Sequence, residues 1–225
     1  MKIGIVGAGA MGSVYGGLLA DAGHEIWLLD RWAEHVAAMQ AKGLRVEGKS
    51  GDRTVAVNAT TNAADAGECE LVVLATKAAD SAAAIAGAGA MIGSATPVLA
   101  IQNGLGNAER LAGLVGVERA LNGIAGGFGA AMVGPGHVHH NGMEMIHMAE
   151  VGGGKSERLE RVAEAWRQGG FSVSTYADLE PLVWSKLMAN IAVSAPCTVT
   201  GLRAGEVMAD ENAREISYAC VREAA

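Results

Sequence analysis

KIGIVGAGAMG, residues Lys2 to Gly12, is an apolar run that breaks directly into glycines. Lys2 to Val6 has the unbroken apolar character of a central parallel strand covered on both faces. Of the glycines, Gly7 permits a tight turn, Gly9 lets backbone approach a pyrophosphate, and Gly12 allows a helix to pack closely on the strand. Ala8, Ala10 and Met11 complete the loop. From Ala10 to Ala22 apolar residues recur at helical spacing, Asp21 to Gly23 closes that helix, and Glu25 to Leu29 (EIWLL) reads as the next strand. The result is a complete βαβ unit, with the helix N-terminus turned toward the place where a diphosphate would sit.

Outward from this unit the alternation continues. Ala33 to Lys42 predicts a helix ended by Gly43. A polar segment, Lys49 to Asp52, separates two weak strands, Leu44 to Val46 and Thr54 to Val57. Strand signals return at Glu70 to Ala75 (ELVVLA) and Pro97 to Ile101 (PVLAI), so the expected fold class is α/β, a Rossmann-type doubly wound parallel sheet. Beyond Gly123 the chain is Gly-rich and alternating, and Val138, Met145 and Met148 suggest short antiparallel strands that extend the sheet. Ser156 to Gln168 predicts a surface helix stopped by Gly169 and Gly170, followed by a strand from Phe171 to Thr175. Everything after that reads as helix: Glu180 to Val193, Ala204 to Asp210 and Glu211 to Ala225. The expected domains are 1–175, dinucleotide-binding, and 176–225, all-helical. The second gives a meagre core and a last helix without a stop signal, so the chain is expected to be a fragment whose helical domain is truncated.

Composition narrows the function. The 225 residues are 50% hydrophobic and 18% charged, too apolar for a disordered chain. Seventeen Lys and Arg against 24 Asp and Glu leave a formal charge of −7, which offers no basic field to nucleic acid. Cys69, Cys197 and Cys220 fit neither a disulfide framework nor a paired zinc site, and a reducing, cytoplasmic location follows. The apolar start and the uncharged stretch Ser81 to Ile101 fail as membrane segments, the first by its glycines and the second by Pro97. No membrane partner is expected.

The end of the second strand bears on the nicotinamide cofactor and points two ways. Asp30 stands where a carboxylate would accept from an adenosine ribose and repel a 2′-phosphate, favouring NAD(H). Arg31 could pair with that same phosphate, favouring NADP(H). A third account has both residues merely capping the next helix. Thr76 and Lys77 follow one strand, and Gln102, Asn103 and Gly104 follow another, at the edge where open α/β sheets bind ligands. Taken singly, a surface lysine and an Asn-Gly turn are commonplace.

GAGAMG, TKA at Thr76 to Ala78, QNG at Gln102 to Gly104, PGHVHH at Pro135 to His140 and WSKLMAN at Trp184 to Asn190 occur in the order seen in ketopantoate reductases. The chain resembles that family over essentially its whole length. The resemblance implies a Rossmann domain followed by a helical domain, and NADPH-dependent reduction of 2-dehydropantoate to pantoate in pantothenate and coenzyme A biosynthesis. Alternatives are reduction of a different 2-keto acid, or a non-catalytic nucleotide-binding fragment. It further implies Lys186 as the catalytic lysine, Asn190 as a substrate ligand one helical turn on, and Asn103 near both nicotinamide and keto group. Lys77 and Ala131 would belong to the cofactor site. Where relatives often carry a second substrate asparagine this chain has Ser194, a shorter hydrogen-bonding group. The family's later substrate serine and catalytic glutamate fall beyond the sequence. A homodimer is left open. His137, His139 and His140, with His147 nearby, show no acidic or cysteine partner at a supporting spacing, so no metal site is expected.

Overall fold

The computed structural model describes residues 1–127, 129–142 and 145–224, in two compact units, Met1–Leu179 and Glu180–Ala225. Along the first unit run β1 (Lys2–Val6), α1 (Ala10–Asp21), β2 (Glu25–Leu29), α2 (Ala33–Lys42), β3 (Leu44–Gly48), β4 (Arg53–Val55), β5 (Asn58–Thr60) and α3 (Ala63–Ala66). Then come β6 (Leu71–Leu74), α4 (Ser81–Gly87), β7 (Val98–Ala100), α5 (Asn107–Val115), β8 (Ala120–Gly126), β9 (Gly129–Gly134), β10 (His137–Gly142), β11 (Met145–Glu150), α6 (Glu157–Gln168) and β12 (Ser172–Tyr176). The second unit holds α7 (Glu180–Thr200), α8 (Ala204–Ala209) and α9 (Glu211–Ala224). Ala225, the expected end of the last helix, lies outside the described residues.

The main sheet has the order β12-β11-β8-β7-β6-β1-β2-β5. From β5 to β8 every pairing is parallel, and β11 then runs antiparallel to β8 and parallel to β12. Strand order reverses between β1 and β6, the topological switch point of a doubly wound sheet. Side chains alternate across it, so Ile3, Ile5, Leu71, Val73 and Leu99 join one core while Val6, Val72, Leu74, Val98 and Ala100 join the other. The first core is closed by α1, α2 and α6, and the second by α3, α4 and α5. That double covering explains why these strands read as continuous apolar runs.

Three expectations need correction. The strand carrying Val138 does not extend the main sheet: β10 pairs parallel with β3 and antiparallel with β9 in a second, four-stranded sheet, β4-β3-β10-β9. Val46 and Val138 are fully buried, and a Cβ on Gly17 of α1 would lie 2.5 Å from Val46 Cγ2, so the small sheet seats against a bare stretch of helix. Sequence reading also missed β5, the short strand that edges the main sheet beside β2. Finally, α7 continues past Val193 to Thr200, straight through the buried Pro196. Proline removes an N–H from the ladder, and the Thr198 and Thr200 hydroxyls donate to the carbonyls of Ser194 and Pro196 at 2.7 and 2.6 Å. By length and composition, α7 is also apolar enough to cross a membrane.

Candidate functional site

The loop between β1 and α1 occupies the switch point, and each glycine there answers a constraint. Gly7 has φ +94, and a Cβ on it would meet Thr76 Cγ2 at 2.7 Å; its N–H donates to Leu29 O at 2.9 Å. On Gly12 a Cβ would strike the Gly7 carbonyl oxygen at 1.9 Å. Gly9 is different, since a Cβ there would meet nothing within 4 Å, and the residue is exposed. As N-cap of α1 it supplies no side-chain cap, so the first-turn amides, which have no partner within a helix, are left uncapped beside that open position. Such a cradle fits a diphosphate.

Ala8 is held from three directions. Its N–H donates to Asp30 Oδ2 at 2.7 Å, and its carbonyl accepts from Ser13 Oγ at 2.7 Å and His35 Nε2 at 3.0 Å. Asp30 Oδ1 accepts from Trp32 N–H at 2.9 Å. The capping account of Asp30 and Arg31 is thereby corrected, because the N-cap of α2 is Trp32 and no side chain caps that helix. Each carboxylate oxygen keeps a second lone pair, so Asp30 can hold the loop and still accept from a ribose hydroxyl. Arg31 is exposed beside it.

The loops after β6 and β7 are tied to each other. Gln102 Nε2 donates to Thr76 O at 2.9 Å and lies 3.1 Å from Ser81 Oγ. Buried Asn107 donates to the carbonyls of Gln102, Asn103 and Gly104 at 3.3, 3.1 and 3.1 Å, fixing the QNG turn. Lys77 and Asn103 are exposed at this edge, and Lys77 is the N-cap of a 3-10 turn, Ala78–Asp80. Ala131 is elsewhere, on the outward surface of β9 in the small sheet. In the second unit, Lys186, Asn190 and Ser194 follow one another at single-turn spacing on α7, with Asn190 and Ser194 exposed. Burial lowers the Lys186 ammonium below its ordinary value.

Sequence reading singled out the glycines and loop tips but missed Ser13, His35, Ser81 and Asn107. His35 gives no local signal inside an amphipathic helix. Asn107 offered a faint one, an amide opening a helix just after a turn. The histidine cluster also differs from expectation, since an acidic partner does exist: Glu47 on β3 lies 3.0 Å from His137 and 3.5 Å from His139. The His137 hydrogen bond leads the causes that hold its carboxyl below the usual range. Strand pairing, absent from linear spacing, brings them together. Among the described residues, no group of three His, Cys, Asp or Glu is arranged to hold a metal ion.

Sheet order, switch point and glycine cradle define a dinucleotide-binding α/β protein. The family model described as Ketopantoate reductase PanE/ApbA matches residues 3–153, and its C-terminal counterpart matches residues 178–225. The chain belongs to the ketopantoate reductase family. The 2-dehydropantoate 2-reductase of Pyrococcus abyssi is 34% identical over 194 residues, which is 86% of this chain and 62% of that protein, so the chain spans less than two thirds of its length. The crystal structure of 2-dehydropantoate 2-reductase from Geobacter metallireducens matches at TM-score 0.93 and 31% identity, covering 100% of this chain and 74% of that one. A D-mandelate dehydrogenase in ternary complex with NADH and anilino(oxo)acetate matches at TM-score 0.88 and 25% identity, over 96% of this chain and 70% of its own.

Proposed function

We propose that the chain carries out the NADPH-dependent reduction of ketopantoate to pantoate, in the cytoplasmic synthesis of pantothenate and coenzyme A. The observation that carries this reading is the cradle at Gly9, open and uncapped within a chain of this family. Bound reduced nicotinamide supplies a hydride to the keto carbon. Gly7 to Gly12 receive the diphosphate, and Lys77 adds a positive charge at the neighbouring strand end. Arg31 pairs with the 2′-phosphate, while Asp30 keeps Ala8 in place. Lys186 stabilises the developing oxyanion and delivers the proton that completes the alcohol. Burial lowers its hold on that proton, which eases the transfer to the developing alkoxide. Asn103 orients the carbonyl through its amide, and Asn190 and Ser194 hold the substrate's hydroxyl and carboxylate groups.

The test is spectrophotometric consumption of NADPH and NADH with ketopantoate. Oxidation of NADPH that depends on ketopantoate is expected; nucleotide binding without oxidation of either cofactor by any 2-keto acid overturns the enzymatic reading. A second reading, an NADH-linked reductase of a bulkier 2-keto acid, is favoured by the carboxylate of Asp30 at the end of β2 and by the likeness to the NADH-bound D-mandelate dehydrogenase. A panel of 2-keto acids with each cofactor separates the two.

A further inference from the structure

His35 is fully buried on α2, and its ring makes a different bond at each nitrogen. Nδ1 accepts from the backbone N–H of Gly136, in the turn between β9 and β10, at 2.8 Å. A nitrogen that accepts from a backbone amide carries no proton, so the ring is neutral and its proton sits on Nε2. From there it donates to the carbonyl of Ala8 at 3.0 Å. The Trp32 ring stacks on the imidazole, centroids 5.1 Å apart and planes 22° from parallel, which fixes the ring's plane. One imidazole therefore links the residue at the centre of the diphosphate loop to a turn 101 positions from itself in sequence, in the second sheet.

We infer that His35 is a positioning residue of the nucleotide site, a tether that fastens Ala8 to the β9–β10 turn and so holds the glycine cradle in the shape that receives a dinucleotide diphosphate. Its use for a nicotinamide dinucleotide rests on the function proposed above; its action on the loop does not. Two carbonyl bonds, from Ser13 and His35, and one amide bond, to Asp30, leave Ala8 with no freedom to rotate its peptide planes. Loss of the His35 bond removes the only one of the three that reaches the small sheet.

The experiment compares wild type with His35→Leu and His35→Gln, since glutamine carries one donor and one acceptor, as a neutral imidazole does. Amide hydrogen exchange on the nucleotide-free proteins reads the loop directly. Exchange at the hydrogen-bonded amides of Ala8 and Ser13 is expected to quicken roughly tenfold or more in His35→Leu, the scale of a lost buried hydrogen bond, and to return toward wild type in His35→Gln. The dissociation constant for NADPH, measured by cofactor fluorescence, is expected to rise and recover in the same pattern. Should the leucine variant not fold, Ser13→Ala removes a donor from the same carbonyl and is expected to act in the same direction. Exchange at Ala8 and Ser13 unchanged in folded His35→Leu, or an NADPH affinity unchanged by that substitution, overturns the tether. A wild-type chain that binds neither NADPH nor NADH instead overturns the dinucleotide reading, and the exchange data still decide the tether by themselves.

Discussion

Ala8 has no reactive group, yet its two backbone polar atoms are where the candidate site is built, because one amide and one carbonyl recruit Asp30, Ser13 and His35. Removing the Asp30 carboxylate leaves a buried N–H without its acceptor, a change worth about 1–3 kcal/mol. It also removes an anion beside Arg31. Asp30→Ala is therefore expected to lower unfolding stability by about that amount in urea titrations, and to shift the ratio of NADPH to NADH affinity toward NADPH. Arg31→Ala should do the reverse, weakening NADPH about tenfold, the scale of one charge-assisted hydrogen bond, with NADH unaffected. Equal effects on both cofactors from either change would remove these residues from 2′-phosphate selection. Lys186→Ala is expected to cost about 10²- to 10⁴-fold in turnover, the range of a lost general acid, while the NADPH dissociation constant stays within about twofold, a change under 0.5 kcal/mol. Retained turnover would mean that the proton comes from elsewhere.

Helix α1 meets α6 through an aromatic cluster that was invisible in the sequence because Tyr15 is far along the chain from Trp166 and Phe171. Trp166 stands 4.9 Å from Tyr15 and 5.0 Å from Phe171, ring centroid to centroid, and is fully buried. Its indole Nε1 is buried with no hydrogen-bond partner among the described residues. Trp166→Ala is expected to cost about 3–5 kcal/mol, whereas Trp166→Phe sheds the unsatisfied N–H along with some volume and is expected to cost under about 1.5 kcal/mol. Similar losses in both variants, by thermal or urea unfolding, would show that the N–H carries no penalty. This contrast marks what could be read in advance. The strands β1, β6 and β7 were legible since both their faces are buried and their runs are almost wholly apolar, and β2 because four apolar residues follow Glu25. β5 and the destination of β10 were not, because three or six residues of mixed polarity say nothing about which partner strand they will find. The α7 boundary was not legible for a related reason: at Pro196 local preference says stop, whereas the helix continues with that proline buried and the Thr198 and Thr200 hydroxyls donating to the carbonyls of Ser194 and Pro196. Likewise the glycines of the site were visible as a motif, but His35 becomes a site residue only once a turn from the far end of the unit arrives beside it.

Across the first unit, acid should act first through histidine. Burial lowers His24, His35, His140 and His147 below the ordinary imidazole value of 6.5. For His35 the bond to the Ala8 carbonyl and, after it, the carboxylate of Asp30 pull the other way without reversing the shift. A base whose folded-state affinity for a proton is reduced binds that proton more readily when unfolded, so unfolding takes up protons and stability falls as pH drops. The contribution is fully present above about pH 6.5 and is lost as pH falls through the depressed folded values. Carboxylates add a later loss with the same sign. At Glu150 burial favours the neutral form, but the hydrogen bonds from Arg158 and Ser156 outweigh it and hold the group below the usual carboxylate range. That stabilisation disappears only below about pH 4. Self-repulsion cannot produce the first loss, because the formal charge of −7 at pH 7 shrinks toward the isoelectric point near 5.4 as these histidines titrate. Urea unfolding of the wild-type chain is thus expected to show stability level from pH 8 to about 6.5 and declining from there toward pH 5. The same series on His35→Gln should decline less steeply, since one of the four reluctant bases is gone. A wild-type curve flat down to pH 5 would mean that these rings accept protons in the folded chain as freely as in the unfolded one, and would overturn burial as the cause of an acid loss.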